Sequence, residues 1–156
     1  MEEKPSWDDE ATGVHLVTLV TRQRQPLLGR VANGEITLSD YGRIVAEEWQ
    51  RAAHAHPRAR ADEFVVMPNH LHALLWLDRP GGRRRRRAPA VTPGCVITPF
   101  KAAVSRRTGT ARSPIWQPGY RHLPLRDGQE LEAIRRYIRA NPAMWETDVE
   151  NQAPPV

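Results

Sequence analysis

The segment 62-DEFVVMPNHLHALLWL-77 constrains the fold of this chain more than the rest of its sequence. Two apolar runs flank Pro68-Asn69, a dipeptide that is typical of a tight turn. The pattern predicts a β-hairpin whose second arm gives two positions to His70 and His72. Side chains at i and i+2 of a strand point to the same face about 7 Å apart. One metal ion can bridge that spacing.

Local sequence signals predict seven elements in the order β, α, β, β, α, β, α. The strands are predicted over residues 14–22, 62–67, 70–77 and 120–125, and the helices over residues 41–56, 95–108 and 127–141. A short extended piece is expected at 35–38. This order is typical of an α+β fold, the ferredoxin-like split βαβ sandwich, in which an antiparallel sheet carries helices on one face. The sequence adds one C-terminal helix to that plan and leaves the other face of the sheet for a nucleic acid or a metal.

The C-terminal helix has the strongest local signals. Asp127 is a predicted N-cap with Glu130 three residues later, and Pro142 disfavours helical geometry in the residue before it. Tyr137 and Asn141 lie four residues apart and therefore on one face of this helix. On spacing alone, two interpretations stay open. The two residues are either a boundary aromatic followed by a C-terminal cap, or a functional pair that accompanies the histidines.

Length and composition limit the class of protein. The 156 residues predict one domain over residues 13–148, with disordered tails at 1–12 and 149–156 and a mobile, arginine-rich loop at 78–94. No apolar run approaches about 18 residues, so no membrane span is expected. The single cysteine excludes an internal disulfide. Together with an acidic N-terminus unlike a signal peptide, it favours the cytoplasm.

Arginine dominates the positive charge of the chain. There are 23 Lys and Arg residues against 18 Asp and Glu residues, and all but Lys4 and Lys101 of the 23 are arginine. Planar guanidinium groups bind phosphates in a bidentate manner, so a polyanion is the expected partner. The alternative is an arginine-rich composition that only reflects a GC-rich genome. Composition does not separate the two.

Motifs spread along the chain resemble those of the REP-associated tyrosine transposases, a branch of the HUH single-strand DNA transposases with one catalytic tyrosine. The similar segments are, in order, LVTRQRQPLLGRV, GEITLSDYGRIVAEEW, VVMPNHLHALLWL, TPFKAAVSRR and PIWQPGYRHLPLRDGQELEAIRRYIRANP. They are collinear from about Val14 to Asp148. Pro118-Gly119 departs from the family pattern, which commonly has Arg and a polar residue there. This departure affects the expected DNA specificity more than the expected chemistry.

The resemblance implies a role for each matched residue. His70 and His72 correspond to the HUH pair, Tyr137 to the nucleophile, and Asn141 to a third ligand for a divalent metal, Mg²⁺ or Mn²⁺. Two imidazoles and one amide suit Mg²⁺ only loosely, so substrate phosphate and water are expected to complete the shell. The implied partner is single-stranded or hairpin DNA. The implied protein is a cytoplasmic, nucleoid-associated monomer or homodimer.

The implied reaction is the nicking and rejoining of single-stranded DNA. A phenol has a pKa of about 10 and is a poor nucleophile at neutral pH, so a metal that polarises the scissile phosphate is expected. Tyr137 is expected to attack phosphorus and a 3′-hydroxyl to leave, so that a 5′-phosphotyrosine remains. Because this ester retains the bond energy, rejoining requires no ATP.

Basic residues outside this set are further candidates for DNA contacts. They are Arg83, Arg84, Arg85, Arg86 and Arg87 of the loop, Arg135, Arg136 and Arg139 of the last helix, and His122. For the loop, a phosphate clamp and an inert solvated segment remain alternatives. For the helix arginines, DNA contact and plain solvent exposure on its outer face remain alternatives.

Two other functions compete with the transposase interpretation. A non-catalytic module that binds single-stranded nucleic acid needs the same basic surface, but it forms no covalent DNA adduct and binds no metal. A histidine-triad nucleotide hydrolase needs alternating histidines along one strand. Leu74 breaks that pattern.

Overall fold

The computed structural model describes residues 13–78, 91–148 and 151. The predicted N-terminal tail, the arginine run at 83–87 and all of the predicted C-terminal tail except Asn151 lie outside these ranges. The expectations for them stay predictions. Within the described ranges, every helix is too short or too polar to cross a bilayer.

Every predicted strand and helix is present, with bounds that differ by at most a few residues. The strands are β1 (Gly13–Val20), β2 (Gly29–Ala32), β3 (Glu35–Leu38), β4 (Ala59–Met67), β5 (His70–Leu77) and β6 (Arg121–Pro124). The helices are α1 (Asp40–Ala55), α2 (Gly94–Thr108) and α3 (Gly128–Ala140), with short 3-10 turns at Arg22–Arg24 and Trp145–Thr147. Helix α2 begins at Gly94, one residue before its predicted start.

Four strands form one antiparallel sheet in the order β4-β5-β1-β6. The first strand and the strand with the histidine pair are thus the two central strands, and β4 and β6 form the edges. Each of the two long connections carries a helix, α1 or α2. This arrangement confirms the predicted ferredoxin-like fold.

Strands β2 and β3 form a separate antiparallel hairpin that the sequence signals predict only in part. The pairing runs from Gly29 opposite Leu38 to Ala32 opposite Glu35. Asn33 and Gly34 join the strands with φ of 53° and 75°, the left-handed values that a two-residue hairpin turn requires. Strand β2 has only four residues, so its alternation of apolar and polar side chains is too short to predict a strand. The isolated extended piece expected at 35–38 is therefore one arm of a hairpin.

Helix α3 begins and ends as its signals predict. The Oδ1 atom of Asp127 accepts a hydrogen bond from the N–H of Glu130, 2.8 Å away. The helix ends at Ala140, although Asn141 keeps helical angles (φ −52°, ψ −47°) in spite of the proline after it. This extra helical residue keeps the side chain of Asn141 on the same side of the helix as Tyr137.

The sheet has helices α1 and α2 on one face and α3 on the other. The larger core lies under α1 and α2 and includes Val17, Leu19, Leu71, Ala73, Leu75, Val45, Trp49, Phe100 and Val104. The smaller core lies under α3 and consists of Val14, Leu74, Leu125, Leu131 and Ile138. Because α3 covers part of the second face, that face is less open than the sequence suggests.

Candidate active site

The two histidines lie side by side at the start of β5, on the sheet face that carries α3. The side chain of His70 is fully buried and that of His72 is 5% exposed, and their ring centroids are 4.5 Å apart. Antiparallel pairing with β1 places Val20 opposite His70 and Thr18 opposite His72. At the start of β5, polar side chains therefore replace the apolar side chains of the smaller core.

Each imidazole has a hydrogen-bond partner on its Nδ1 atom. The Nδ1 of His70 is 2.8 Å from Oδ1 of Asn69, and the Nδ1 of His72 is 2.9 Å from Oγ1 of Thr18. An amide oxygen only accepts, so Nδ1 of His70 carries the proton and its Nε2 presents a lone pair. Such partners fix the ring and the tautomer of metal-binding histidines. Both rings are thus oriented through Nδ1.

Tyr137 of α3 lies next to His72. Its side chain is 43% exposed, and its hydroxyl oxygen is 3.5 Å from Nε2 of His72. The ring centroids of the two residues are 5.5 Å apart. The structure therefore brings the predicted nucleophile and one member of the predicted histidine pair together, at a partly exposed position.

Asn141 lies one helical turn after Tyr137 and is buried, with 2% of its surface exposed. Its Nδ2 atom donates to the backbone carbonyl of Tyr137 at 3.0 Å. This bond fixes the amide, and its Oδ1 atom has no hydrogen-bond partner among the residues that the structure describes. A buried amide oxygen without a partner is costly unless another group binds it. The environment of Asn141 is compatible with the role of a metal ligand.

The donor types of His70, His72 and Asn141 suit a divalent cation. Both imidazoles are oriented by their Nδ1 partners, and a buried amide oxygen is available. In the described part of the chain, no three His, Cys, Asp or Glu side chains form a metal site by themselves. As they are placed, such side chains do not complete a site without at least one other ligand, such as an amide, water or a substrate phosphate oxygen.

Two residues that the sequence did not predict border His70. The indole ring of Trp145 stacks on its imidazole, with centroids 6.0 Å apart and planes 29° apart. The Oδ2 atom of Asp148 is 3.9 Å from Nε2 of His70, and the Asp148 side chain is 5% exposed. Trp145 begins the 3-10 turn after α3 and Asp148 directly follows that turn, so only the tertiary fold brings them to the site.

An open cleft of about 340 Å³ runs along Tyr137 and His72. It is lined by side chains from β1, β5, β6 and α3, namely Leu16, Thr18, His72, Arg121, His122, Leu123 and Tyr137. Leu123 is 49% exposed, so the wall contributed by β6 combines an apolar and two basic side chains at the edge of the sheet. A cleft of this composition suits a single nucleic-acid strand, whose bases and phosphates need both kinds of contact.

His122, predicted to contact DNA, lies at the rim of this cleft. Its Nδ1 atom is 3.4 Å from Nδ1 of His15, and the ring of Tyr120 lies 5.7 Å away on its other side. Burial, and then the neighbouring His122, lowers the pKa of His15. His15 is therefore neutral at neutral pH, which avoids repulsion between the two rings. Sequence reasoning missed Arg121, the other basic residue of this wall.

An ion pair holds α3 to β4 two residues before Tyr137. The Nε and Nη2 atoms of Arg135 donate to the carboxylate of Asp62 at 3.0 and 2.6 Å, and Nε1 of Trp76 donates to it at 2.8 Å. Burial raises the pKa of Asp62, but the bonds from Arg135 and Trp76 outweigh it and lower the pKa to about 2. The same contact raises the pKa of Arg135.

A second ion pair follows two residues after Tyr137. The Nε atom of Arg139 donates to the carboxylate of Glu63 at 2.8 Å. The register of β4 against β5 shifts next to Glu63, and this bulge directs two successive carboxylates toward α3. Two salt bridges thus flank Tyr137.

These contacts change the expectation for the helix arginines. Arg135 is half-buried rather than on the outer face, and Arg139, although exposed, is held by a carboxylate. Arg136 is exposed as expected. The arginine run at 83–87 lies outside the described residues. DNA contact by any of these residues stays a prediction.

Comparisons with known proteins agree with this fold. No family model matches the chain. An uncharacterized protein of Haemophilus influenzae is 30% identical over 150 residues, which cover 87% of this chain and 83% of the relative. A solved structure of a REP-associated tyrosine transposase bound to a REP hairpin superposes with a TM-score of 0.62 at 17% identity, covering 92% of this chain and 83% of that one. The chain therefore belongs to the same protein family as the Haemophilus influenzae relative and has the fold of a REP-associated tyrosine transposase.

Proposed function

We propose that this protein is a metal-dependent endonuclease and strand transferase that acts on single-stranded DNA at hairpin-containing sites. The observation that carries the proposal is the 3.5 Å separation between the Tyr137 hydroxyl and Nε2 of His72, in an open cleft. The structural neighbour that shares the fold is a transposase bound to a hairpin. The net charge of +5 suits a DNA substrate.

The metal ligands in this proposal are His70, His72 and Asn141. A divalent cation bound there would neutralise charge on the scissile phosphate. Thr18 and Asn69 hold the two imidazoles through Nδ1, and Nε2 of each ring would bind the cation. Because Asn141 also binds the backbone carbonyl of Tyr137, the same residue couples the metal site to the turn of helix that bears the nucleophile.

Tyr137 is the nucleophile of the proposed reaction. Its phenolic oxygen forms a bond to phosphorus, and the bond from phosphorus to the 3′-oxygen of the upstream nucleotide breaks. The phenolic proton leaves to solvent, which the exposed side chain permits, and the departing 3′-oxygen takes up a proton. The products are a free 3′-hydroxyl and a 5′-phosphotyrosine ester. Attack of a 3′-hydroxyl on this ester reverses the step and joins two strands.

The two salt bridges around Tyr137 have a positioning role in this reaction. Arg135 and Arg139 bind carboxylates of β4 and so limit the movement of α3 over the sheet. A nucleophile must lie within about 3.5 Å of its target to react well. The salt bridges therefore keep the phenolic oxygen near the histidine pair, where the scissile phosphate would bind.

The test uses a single-stranded oligonucleotide with an imperfect hairpin and an unpaired flank, incubated with purified protein and Mn²⁺. With a 3′ label, the proposal predicts a band that stays retarded on a denaturing gel, because the protein is joined to the 5′ end of the downstream fragment. With a 5′ label, it predicts a shorter free strand that a polymerase extends from its 3′-hydroxyl. Both products should require the divalent ion.

Two tyrosine variants provide the matched comparison. Tyr137→Phe should bind the oligonucleotide like the wild-type protein and form no covalent product. Tyr120→Phe, a similarly exposed tyrosine near the cleft (36% exposed), should behave as wild type. A retarded band on native gels without any covalent product in the wild-type protein would instead support the non-catalytic binding module. A covalent product that survives in Tyr137→Phe would contradict the assignment of the nucleophile.

A further inference from the structure

A buried carboxylate stands next to the histidine pair without a role in the function proposed above. Asp148 follows the 3-10 turn Trp145–Thr147, and its side chain is 5% exposed. Its Oδ2 atom lies 3.9 Å from Nε2 of His70. The Asn69 contact involves Nδ1, the other nitrogen of this ring.

The segment that carries Asp148 is held in place by its own contacts. The N–H of Asp148 donates to the carbonyl of Trp145 at 3.1 Å, and the N–H of Asn151 donates to the carbonyl of Asp148 at 3.0 Å. The Asn151 side chain also binds the carbonyl of Trp145, at 2.9 Å. The indole of Trp145 packs on His70. The turn therefore forms a wall of the site.

We infer that Asp148 supplies a carboxylate oxygen to the same divalent cation as His70, an inference that rests on the proposed function. Around an octahedral cation with ligands at about 2.1 Å, neighbouring ligand atoms lie about 3.0 Å apart and opposite ones about 4.2 Å apart. The observed 3.9 Å between Oδ2 and Nε2 falls within this interval. A cation can therefore bind both atoms after only a small adjustment of either side chain.

The chemistry of the ligands supports the same inference. A site of two imidazoles and one amide favours borderline metals, whereas Mg²⁺ and Mn²⁺ favour carboxylate oxygen. Asp148 turns this set into two nitrogens and two oxygens, one of them anionic. Asp148 therefore increases both the affinity of the site for Mg²⁺ or Mn²⁺ and its selectivity for these hard cations.

The test measures the binding of Mn²⁺ and Zn²⁺ to the full-length protein without DNA, by calorimetry and by the electron paramagnetic resonance of free Mn²⁺. Asp148→Asn should weaken Mn²⁺ binding by about 10-fold or more, and Zn²⁺ binding by a smaller factor because the imidazoles remain. Glu146→Gln is the matched control. It removes the same charge from an exposed position of the 3-10 turn that precedes Asp148 and should leave both affinities unchanged.

The outcomes separate this inference from the proposed function. Wild-type affinity for Mn²⁺ in a folded Asp148→Asn variant would overturn the role of Asp148 and leave the proposed function intact. Absence of Mn²⁺ binding by the wild-type protein, with or without the hairpin oligonucleotide, would overturn both. If Asp148→Asn does not fold, the anomalous signal of Mn²⁺ in wild-type crystals decides. A peak within about 2.2 Å of the Asp148 carboxylate supports the inference, and a peak on the histidines alone contradicts it.

Discussion

The two faces of the four-stranded sheet use the same strands for different purposes. On the face of α1 and α2, β5 contributes Leu71, Ala73 and Leu75, all fully buried in the larger core. On the face of α3, the alternate positions of β5 are His70 and His72 at its start, followed by Leu74 and Trp76. A strand buried on both sides can thus supply rigidity from one face and chemistry from the other. Packing on the face of α1 and α2 fixes the backbone of the strand. The same packing therefore fixes the positions of the two histidines on the other face.

The difference has an energetic consequence. The larger core contains the rings of Trp49 and Phe100, which meet edge to face with centroids 5.4 Å apart. The α3 face has a smaller apolar cluster, and two salt bridges add to its attachment. We therefore expect substitutions on the first face to affect stability most, and substitutions on the second to affect metal binding and reaction.

Truncation of the largest core side chain should have the largest effect. Trp49→Ala should lower the free energy of unfolding by about 3–5 kcal/mol, because the indole is fully buried against Phe100. Urea denaturation followed by circular dichroism measures this. A loss below about 1 kcal/mol would mean that the α1 and α2 face does not dominate stability.

Removal of the hydroxyl that holds His72 should separate function from stability. Thr18→Val leaves the shape of the side chain nearly unchanged but removes the partner of Nδ1. Loss of such a contact typically lowers metal affinity or activity by about 10–100-fold. Mn²⁺ titration and the rate of the covalent product measure the effect, with Thr37→Val on the exposed face of β3 as control. Equal rates in Thr18→Val and the wild-type protein would show that ring orientation does not depend on this bond.

The Asp62–Arg135 salt bridge should make the α3 face sensitive to acid. Asp62→Asn should destabilise the protein by about 1–2 kcal/mol at neutral pH, since the pair is charged and only partly exposed. The folded pKa of Asp62, about 2, lies below the ordinary value of about 3.9. Its contribution is therefore fully present above about pH 4 and is lost as the pH falls toward about 2.

Thermal unfolding between pH 7 and pH 2 checks this expectation. The difference between the wild-type protein and Asp62→Asn should shrink as the pH falls through that window. The exposed carboxylate variant Asp78→Asn serves as control and should follow the wild-type curve. A difference that stays constant down to pH 2 would rule out an ionised Asp62 as the cause.

The smallest effect is expected at the wall of the cleft that β6 contributes. Arg121→Gln should weaken the binding of single-stranded DNA by a few-fold and reduce the slope of log K against log salt by about 0.7, the amount expected for one phosphate contact. Fluorescence anisotropy at several salt concentrations measures both quantities. Arg112→Gln, an exposed arginine away from the cleft, should change neither. Equal slopes for the two variants would show that the strand does not follow this wall.

The sequence was sufficient for the parts of the fold that local patterns determine. The two apolar runs around Pro68-Asn69 predicted the hairpin, and the Asp127 cap predicted the start of α3; both are present. The order of elements then led to the sheet topology, which the structure confirms. The hairpin of β2 and β3 was predicted only in part because its strands have four residues each.

The surroundings of the site could not be predicted because they depend on tertiary contacts. Thr18 reaches His72 through the β1–β5 register, and Asp148 reaches His70 through the turn after α3. Thr18 left a weak signal, as a polar residue inside the apolar run of β1. The pairing of Arg135 with Asp62 depends on a bulge in β4 that no local pattern reveals.

The most direct measurement maps the residue that carries DNA after reaction. The chain has three tyrosines, Tyr41, Tyr120 and Tyr137, so digestion of the covalent product and mass spectrometry distinguish them. We predict a nucleotide phosphate on Tyr137, within the peptide 133–146 that cleavage after glutamate releases. DNA attached to either of the other tyrosines, or nicked DNA with no attachment to protein, would contradict the account.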